Sequence, residues 1–269
     1  QYFQNDDIKK LVKHLTSQQF CVFQAIEFHL LQLIRGQPKL LNLEVHHDGN
    51  QSLCAEVLTL FTFYLKLKEI DMAKVLMIYG HTRKESFAHS LGLAYAKSSK
   101  GQGNEIKETY LNELPLEDFL KYPHQAENNS KMVYPSDLQD LHKDLLWADR
   151  LIFVFPTWWG LPPALVKLYV EVVLAPKIAF RYLPVKYGMN RWEKLLKGKT
   201  ARLLVTMDSP TWYYKFLTKN AIGNSFKNNI LGFCGVKTLG INYFGSVKVS
   251  TKEVREKWLV KAARLGERD

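Results

Sequence analysis

The residues of this 269-residue chain best suited to chemistry lie in three short runs. The first, Gly80-His81-Thr82-Arg83-Lys84-Glu85-Ser86-Phe87, sets two hydroxyls, an imidazole and two cations just before a predicted helix. Exposed N–H groups and the positive end of a helix dipole there suit a phosphate group. Thr82 or Ser86 equally suits a plain helix N-cap. The second run, Pro156-Thr157-Trp158-Trp159-Gly160-Leu161-Pro162-Pro163-Ala164, carries adjacent tryptophans on a loop stiffened by Pro156 and opened by Gly160. It suits a flat aromatic ring met by backbone amides along its polar rim, and a tryptophan cluster made for packing or a subunit contact is the competing reading. The third, Met207-Asp208-Ser209-Pro210-Thr211-Trp212-Tyr213-Tyr214, gathers further aromatics that would flank the same ring from its other side.

These runs must be held by the elements around them. Apolar runs at 74–79 (KVLMIY), 151–155 (LIFVF) and 201–207 (ARLLVTM) read as strands buried on both faces, and 105–111 and 237–244 as two more. Helical patterns at 86–100, 138–147, 165–174, 220–233 and 252–264 alternate with them. Alternation of this kind predicts a parallel, doubly wound α/β sheet, in either the Rossmann or the flavodoxin strand order. Ligands of such sheets sit beyond the carboxyl ends of the strands, where all three runs fall. Neither G-x-G-x-x-G nor G-x-x-x-x-G-K-[ST] occurs in the first loop, which argues against a dinucleotide-binding Rossmann or P-loop site. The Gly101/Gly103 pair follows a helix and reads as a turn.

Residues 1–71 have a different pattern. Ile8, Leu11, Val12 and Leu15 recur at helical spacing, a further apolar stretch runs from Phe20 to Ile34, and Ser52 to Lys68 reads as another helix. A break at Gly36 and Pro38 and a turn at 47–50 separate them, so 1–71 is expected to be a helical extension and 72–269 a separate domain. The charge divides the same way. Residues 1–71 hold seven Lys/Arg against eight Asp/Glu, and the remainder holds 30 against 18. With no nucleic-acid motif to absorb it, that excess points to an anionic small molecule, an anionic membrane surface or solvated charge. Cys21, Cys54 and Cys234 are too scattered for a zinc site or a disulfide framework, and neither a metal nor nucleic acid is expected. No run reaches the roughly 20 apolar residues of a membrane span, and no secretory signal is visible, so a cytoplasmic location is expected.

With these runs in order, 74 to about 245 resembles the flavodoxin-like NAD(P)H:quinone oxidoreductases, the family that includes DT-diaphorase. The resemblance is carried by GHTRKESF (80–87), FPTWWGLPPALVK (155–167), IAFRY (178–182), TMDSPTWYY (206–214) and FCGV (233–236). It implies a flavodoxin-like five-stranded sheet of order 2-1-3-4-5, a non-covalent flavin (FMN or FAD), a homodimer, and two-electron, ping-pong hydride transfer from NAD(P)H to a quinone. By that likeness His81, Thr82, Ser86 and Phe87 hold the flavin phosphate and ribityl chain. Pro156, Thr157, Trp158, Trp159 and Gly160 cup the ring, Met207, Asp208, Ser209 and Pro210 border it, and Tyr213 or Tyr214 brings a catalytic hydroxyl to the acceptor. The chain departs from the family pattern at Ala88, where Asn is common, and at Leu168, where Gly is usual. Two other readings share the fold: a flavodoxin-type electron carrier, which a basic domain suits poorly, and a flavin-binding regulatory subunit docking through 1–71.

Overall fold

The computed structural model describes residues 72–115, 135–186 and 188–269. The helices expected in 1–71 therefore lie outside the described residues, as do Cys21 and Cys54. In chain order the elements are β1 (Lys74–Tyr79), α1 (Phe87–Gly101), β2 (Glu105–Tyr110), α2 (Ser136–Trp147), β3 (Arg150–Pro156), α3 (Ala164–Val173), β4 (Phe180–Lys186), β5 (Met189–Lys194), β6 (Thr200–Thr206), α4 (Thr211–Phe216), α5 (Ala221–Asn224), α6 (Gly232–Cys234), β7 (Lys237–Phe244) and α7 (Lys252–Arg268).

Five strands form one parallel sheet in the order β2-β1-β3-β6-β7. Counting only strands of this sheet, that is the order 2-1-3-4-5 which the resemblance implied. The central strands are mostly apolar because each faces a core on both sides. Alternate residues divide cleanly: Leu76, Ile78, Leu151, Phe153, Phe155, Leu203 and Val205 enter one core with α2 and α3. Their neighbours Val75, Met77, Ile152, Val154 and Leu204 enter the other with α1 and Trp258 of α7. This is the two-residue period of a strand read out by two helical layers. Burying each such side chain is worth about 1.5–3 kcal/mol. Ser86 and Thr251 start α1 and α7 as N-caps, accepting the His89 and Val254 N–H groups.

Two features go beyond the sequence pattern. Between α3 and β6 the chain makes an antiparallel hairpin, β4 with β5, which the sequence reading left unassigned. Pro184 and charged residues at alternate positions hide it, since the pairing needs only one apolar face and its register shifts between Leu183 and Lys186. The helix expected over 220–233 is broken by a π-helical stretch, Ser225–Leu231. A Cβ at Gly232 would stand 2.5 Å from the Lys227 carbonyl oxygen, so the wide turn closes onto a glycine. Among the described residues no helix is long and apolar enough to cross a membrane.

Candidate functional site

Because β1, β3 and β6 are adjacent in the sheet, the three loops that follow them lie side by side at its carboxyl edge. Backbone hydrogen bonds fasten each loop to its neighbouring strand. Gly80 N–H donates to Val154 O at 2.8 Å, Thr157 N–H to Thr206 O at 2.7 Å, and Met207 N–H to Phe244 O at 2.9 Å. The loops start at fixed heights and differ only in what they present.

In the first loop, His81 is half-buried and its Nδ1 accepts the Arg83 N–H at 2.9 Å. That leaves Nε2 as the protonated nitrogen of the neutral ring, a donor. Burial, and then the Arg83 charge, hold the His81 pKa below its usual value. Thr82 is exposed. Ser86 is buried, with its oxygen used as the cap of α1. Phe87 packs at 5.9 Å from Trp258, with the Arg255 guanidinium 5.7 Å from its ring centre.

The second loop carries the most distinctive backbone. Trp158 and Leu161 exchange two N–H···O bonds of 2.9 Å, which makes Trp158–Leu161 a tight two-residue turn. Its central residues, Trp159 and Gly160, both have positive φ, 53° and 75°. This conformation costs a non-glycine residue about 1–2 kcal/mol. Neither the Trp159 nor the Gly160 N–H has a partner among the described residues. Thr157 Oγ1 at the strand end is buried and likewise without a partner. The turn therefore offers two uncommitted donors beside a fully exposed indole, that of Trp159. Trp158 meets the His81 ring edge-on at 5.7 Å, so the first and second loops touch.

The third loop is tied to residues that the sequence reading passed over. Ser209 O accepts the Ser246 N–H at 3.2 Å, Asp208 Oδ1 accepts the Lys248 N–H at 3.0 Å, and a Cβ at Gly245 would fall 2.8 Å from Ser209 O. The loop after β7 thus braces the loop after β6. The glycine followed by serine at the end of the fifth strand was the available signal. Met207 is buried and Pro210 starts α4. Tyr213 is 43 % exposed, whereas Tyr214 is 2 % exposed with its hydroxyl between two backbone groups. Of the two tyrosines proposed on sequence to face an acceptor, only Tyr213 presents its side chain to solvent.

Strained backbone concentrates at this edge. Of the five non-glycine residues with positive φ among those described, Trp159 and Ser246 lie on the loops just described, and Lys219 and Asn220 in the connection between α4 and α5. Left-handed residues persist where the surroundings over-determine them, and such places cluster at binding sites. The arrangement can receive an anion beside His81 and the α1 N-terminus, and a planar group with polar edge atoms at the Trp159–Gly160 turn.

Comparison with known proteins agrees with the geometry. A family model described as "Flavodoxin-like fold" matches residues 73–266. An uncharacterized NAD(P)H oxidoreductase of Haemophilus influenzae is 25% identical over 191 residues, which is 70% of this chain and 92% of that one. An FMN-dependent NADH:quinone oxidoreductase of Macrococcus caseolyticus is 26% identical over 220 residues, 72% of this chain and 99% of its own. Among solved structures, the FMN-dependent NADH-azoreductase of Bacillus anthracis in complex with FMN superposes with a TM-score of 0.59 at 15% identity, covering 73% of this chain and 99% of that one.

Proposed function

Since the chain belongs to the family of flavodoxin-like fold matched over 73–266, we propose that it is a flavin-dependent NAD(P)H:quinone oxidoreductase. The observation that carries this reading is the Trp158–Leu161 turn, with its two free N–H groups, standing beside the anion-suited first loop. A flavin, when bound, supplies the relay by which hydride passes from nicotinamide to acceptor.

The chain's own contribution is binding, orientation and proton supply. His81 Nε2–H and the N–H groups opening α1 face the phosphate, with Thr82, Ser86 and Phe87 lining its approach. The N–H groups of Trp159 and Gly160 would meet the polar edge of the ring, with Thr157 behind them at the strand end. Trp158 and Pro156 would line the ring, and Met207, Asp208, Ser209 and Pro210 would border it. Donors aimed at a ring that gains negative charge on reduction stabilise that charge at no cost in reorganisation. Tyr213, whose side chain is exposed, would give a proton to a quinone oxygen. The exposed apolar surface that Trp159, Trp212, Phe216 and Leu217 make at this edge supports a homodimer in which a second copy covers the site.

Purified protein is expected to take up FMN or FAD and turn yellow. Anaerobic NADPH or NADH should then bleach the flavin, and menadione should restore the colour. A protein that stays colourless with both flavins sinks the reading.

His81 adds a pH signature. Its pKa is lowered in the free protein, and a phosphate dianion alongside raises it. Binding therefore takes up protons between the two values, and affinity grows as the pH falls through that window. Calorimetric titration of FMN in two buffers of different ionisation enthalpy is expected to show this uptake, and His81→Gln to lower it. Equal uptake in both proteins would place the phosphate away from His81.

A further inference from the structure

Tyr214 sits where a catalytic hydroxyl was expected, yet its surroundings describe a different task. Its hydroxyl donates to Gly160 O at 2.8 Å and accepts the Ile222 N–H at 3.0 Å, so both the proton and a lone pair are committed to backbone. Its ring packs edge-on against Tyr243 at 5.4 Å. Its own carbonyl accepts the Asn220 N–H at 3.1 Å and the Thr218 hydroxyl at 2.6 Å. Burial raises its pKa, which keeps the hydroxyl protonated.

We propose that Tyr214 is a positioning residue whose hydroxyl locks the Trp159–Gly160 turn in its left-handed form, and thereby sets how tightly the flavin ring is held. The bond to the Gly160 carbonyl fixes the peptide plane between Gly160 and Leu161, and the Ile222 N–H fixes the hydroxyl. Trp159 and Gly160 otherwise hold their positive φ angles only through the paired bonds of Trp158 and Leu161. Releasing the carbonyl lets the turn relax toward commoner conformations, which moves both free N–H groups. Tyr214 thus reaches both strained segments, the turn through its hydroxyl at Gly160 and Asn220 through its backbone carbonyl. The inference rests on the flavin reading above.

Tyr214→Phe deletes the hydroxyl and keeps the ring. It is expected to weaken FMN binding, followed by quenching of flavin fluorescence, about five- to ten-fold. The visible band of the bound flavin should shift as its polar edge loses ordered donors. In the cofactor-free protein, hydrogen exchange at the Trp158 and Leu161 amides should speed up by a comparable factor. Tyr243→Phe, which removes the bond to Asn220 Oδ1 in the same layer, serves as the control and should leave FMN affinity unchanged while lowering Tm. A Tyr214→Phe protein that binds FMN like the wild type overturns the proposal, whether or not its Tm falls. So does one whose Trp158 and Leu161 amides exchange as before. Wild-type protein that takes up neither FMN nor FAD overturns the flavin reading itself, and this inference with it.

Discussion

Asp269→Ala is expected to destabilise the 72–269 unit by about 3–5 kcal/mol, the loss seen when one partner of a buried ion pair is removed. Arg202 lies on β6 in the row that elsewhere carries Leu204, facing α1 and α7, and is 9 % exposed. Each of its three guanidinium nitrogens has a partner there. Nη2 donates to Asp269 Oδ1 at 2.7 Å, Nε donates to Asp269 Oδ2, and Nη1 donates to Asn242 Oδ1 at 2.9 Å. The Tyr95 hydroxyl on α1 adds a bond of 3.1 Å to the same carboxylate, so one side chain joins β6, α1 and α7. Deleting the carboxylate leaves an unpaired guanidinium in the apolar layer, the arrangement that burial penalises most. Arg202→Leu in the same background should recover most of the loss, because the row then becomes apolar throughout. Urea unfolding followed by tryptophan fluorescence gives both values. A single variant within 1 kcal/mol of wild type would show the pair to be solvated.

Gly80→Ala is expected to cost about 1–3 kcal/mol and to weaken flavin binding more than ten-fold, because the first methyl group at this position has nowhere to go. A Cβ there would stand 2.1 Å from Val166 Cγ2 and 3.0 Å from Phe155 Cβ. Val166 is fully buried on α3, so the clash is with packed core and not with a mobile tip. The chain can relieve it only by lifting the 80–87 loop or by pushing α3 away from the sheet. Either movement separates His81 from Trp158. Val166→Ala alone should cost a cavity of similar magnitude, but the two changes together should be milder than their sum, since the methyl group fills the space that the valine leaves. A double-mutant cycle by thermal unfolding, with FMN affinity measured on each protein, tests this. Simple additivity would mean that the loop moves freely without α3.

The layered sheet was legible in the sequence because strands buried on both faces leave continuous apolar runs, as in KVLMIY and LIFVF. The loops were legible because tryptophans beside Pro and Gly at a strand's end are hard to place in a core. What escaped was set by partners distant in sequence. The β4–β5 hairpin has one apolar face and a proline, so no local period marks it. Tyr214 looks like its neighbour Tyr213 until Gly160 and Ile222 are brought to it from 54 and 8 residues away. Arg202 reads as a surface charge interrupting a strand until Asp269 arrives from 67 residues further on.

The left-handed residues at the carboxyl edge have one more implication. The molecule keeps its bolt, the Arg202–Asp269 pair, toward the end of α7, and its wound springs at the rim where Trp159, Lys219, Asn220 and Ser246 lie. Warming therefore acts first where the backbone has most to gain by unwinding. The rim is expected to slacken while the sheet beneath it stays assembled, so bound flavin should be released below the temperature at which the fold melts.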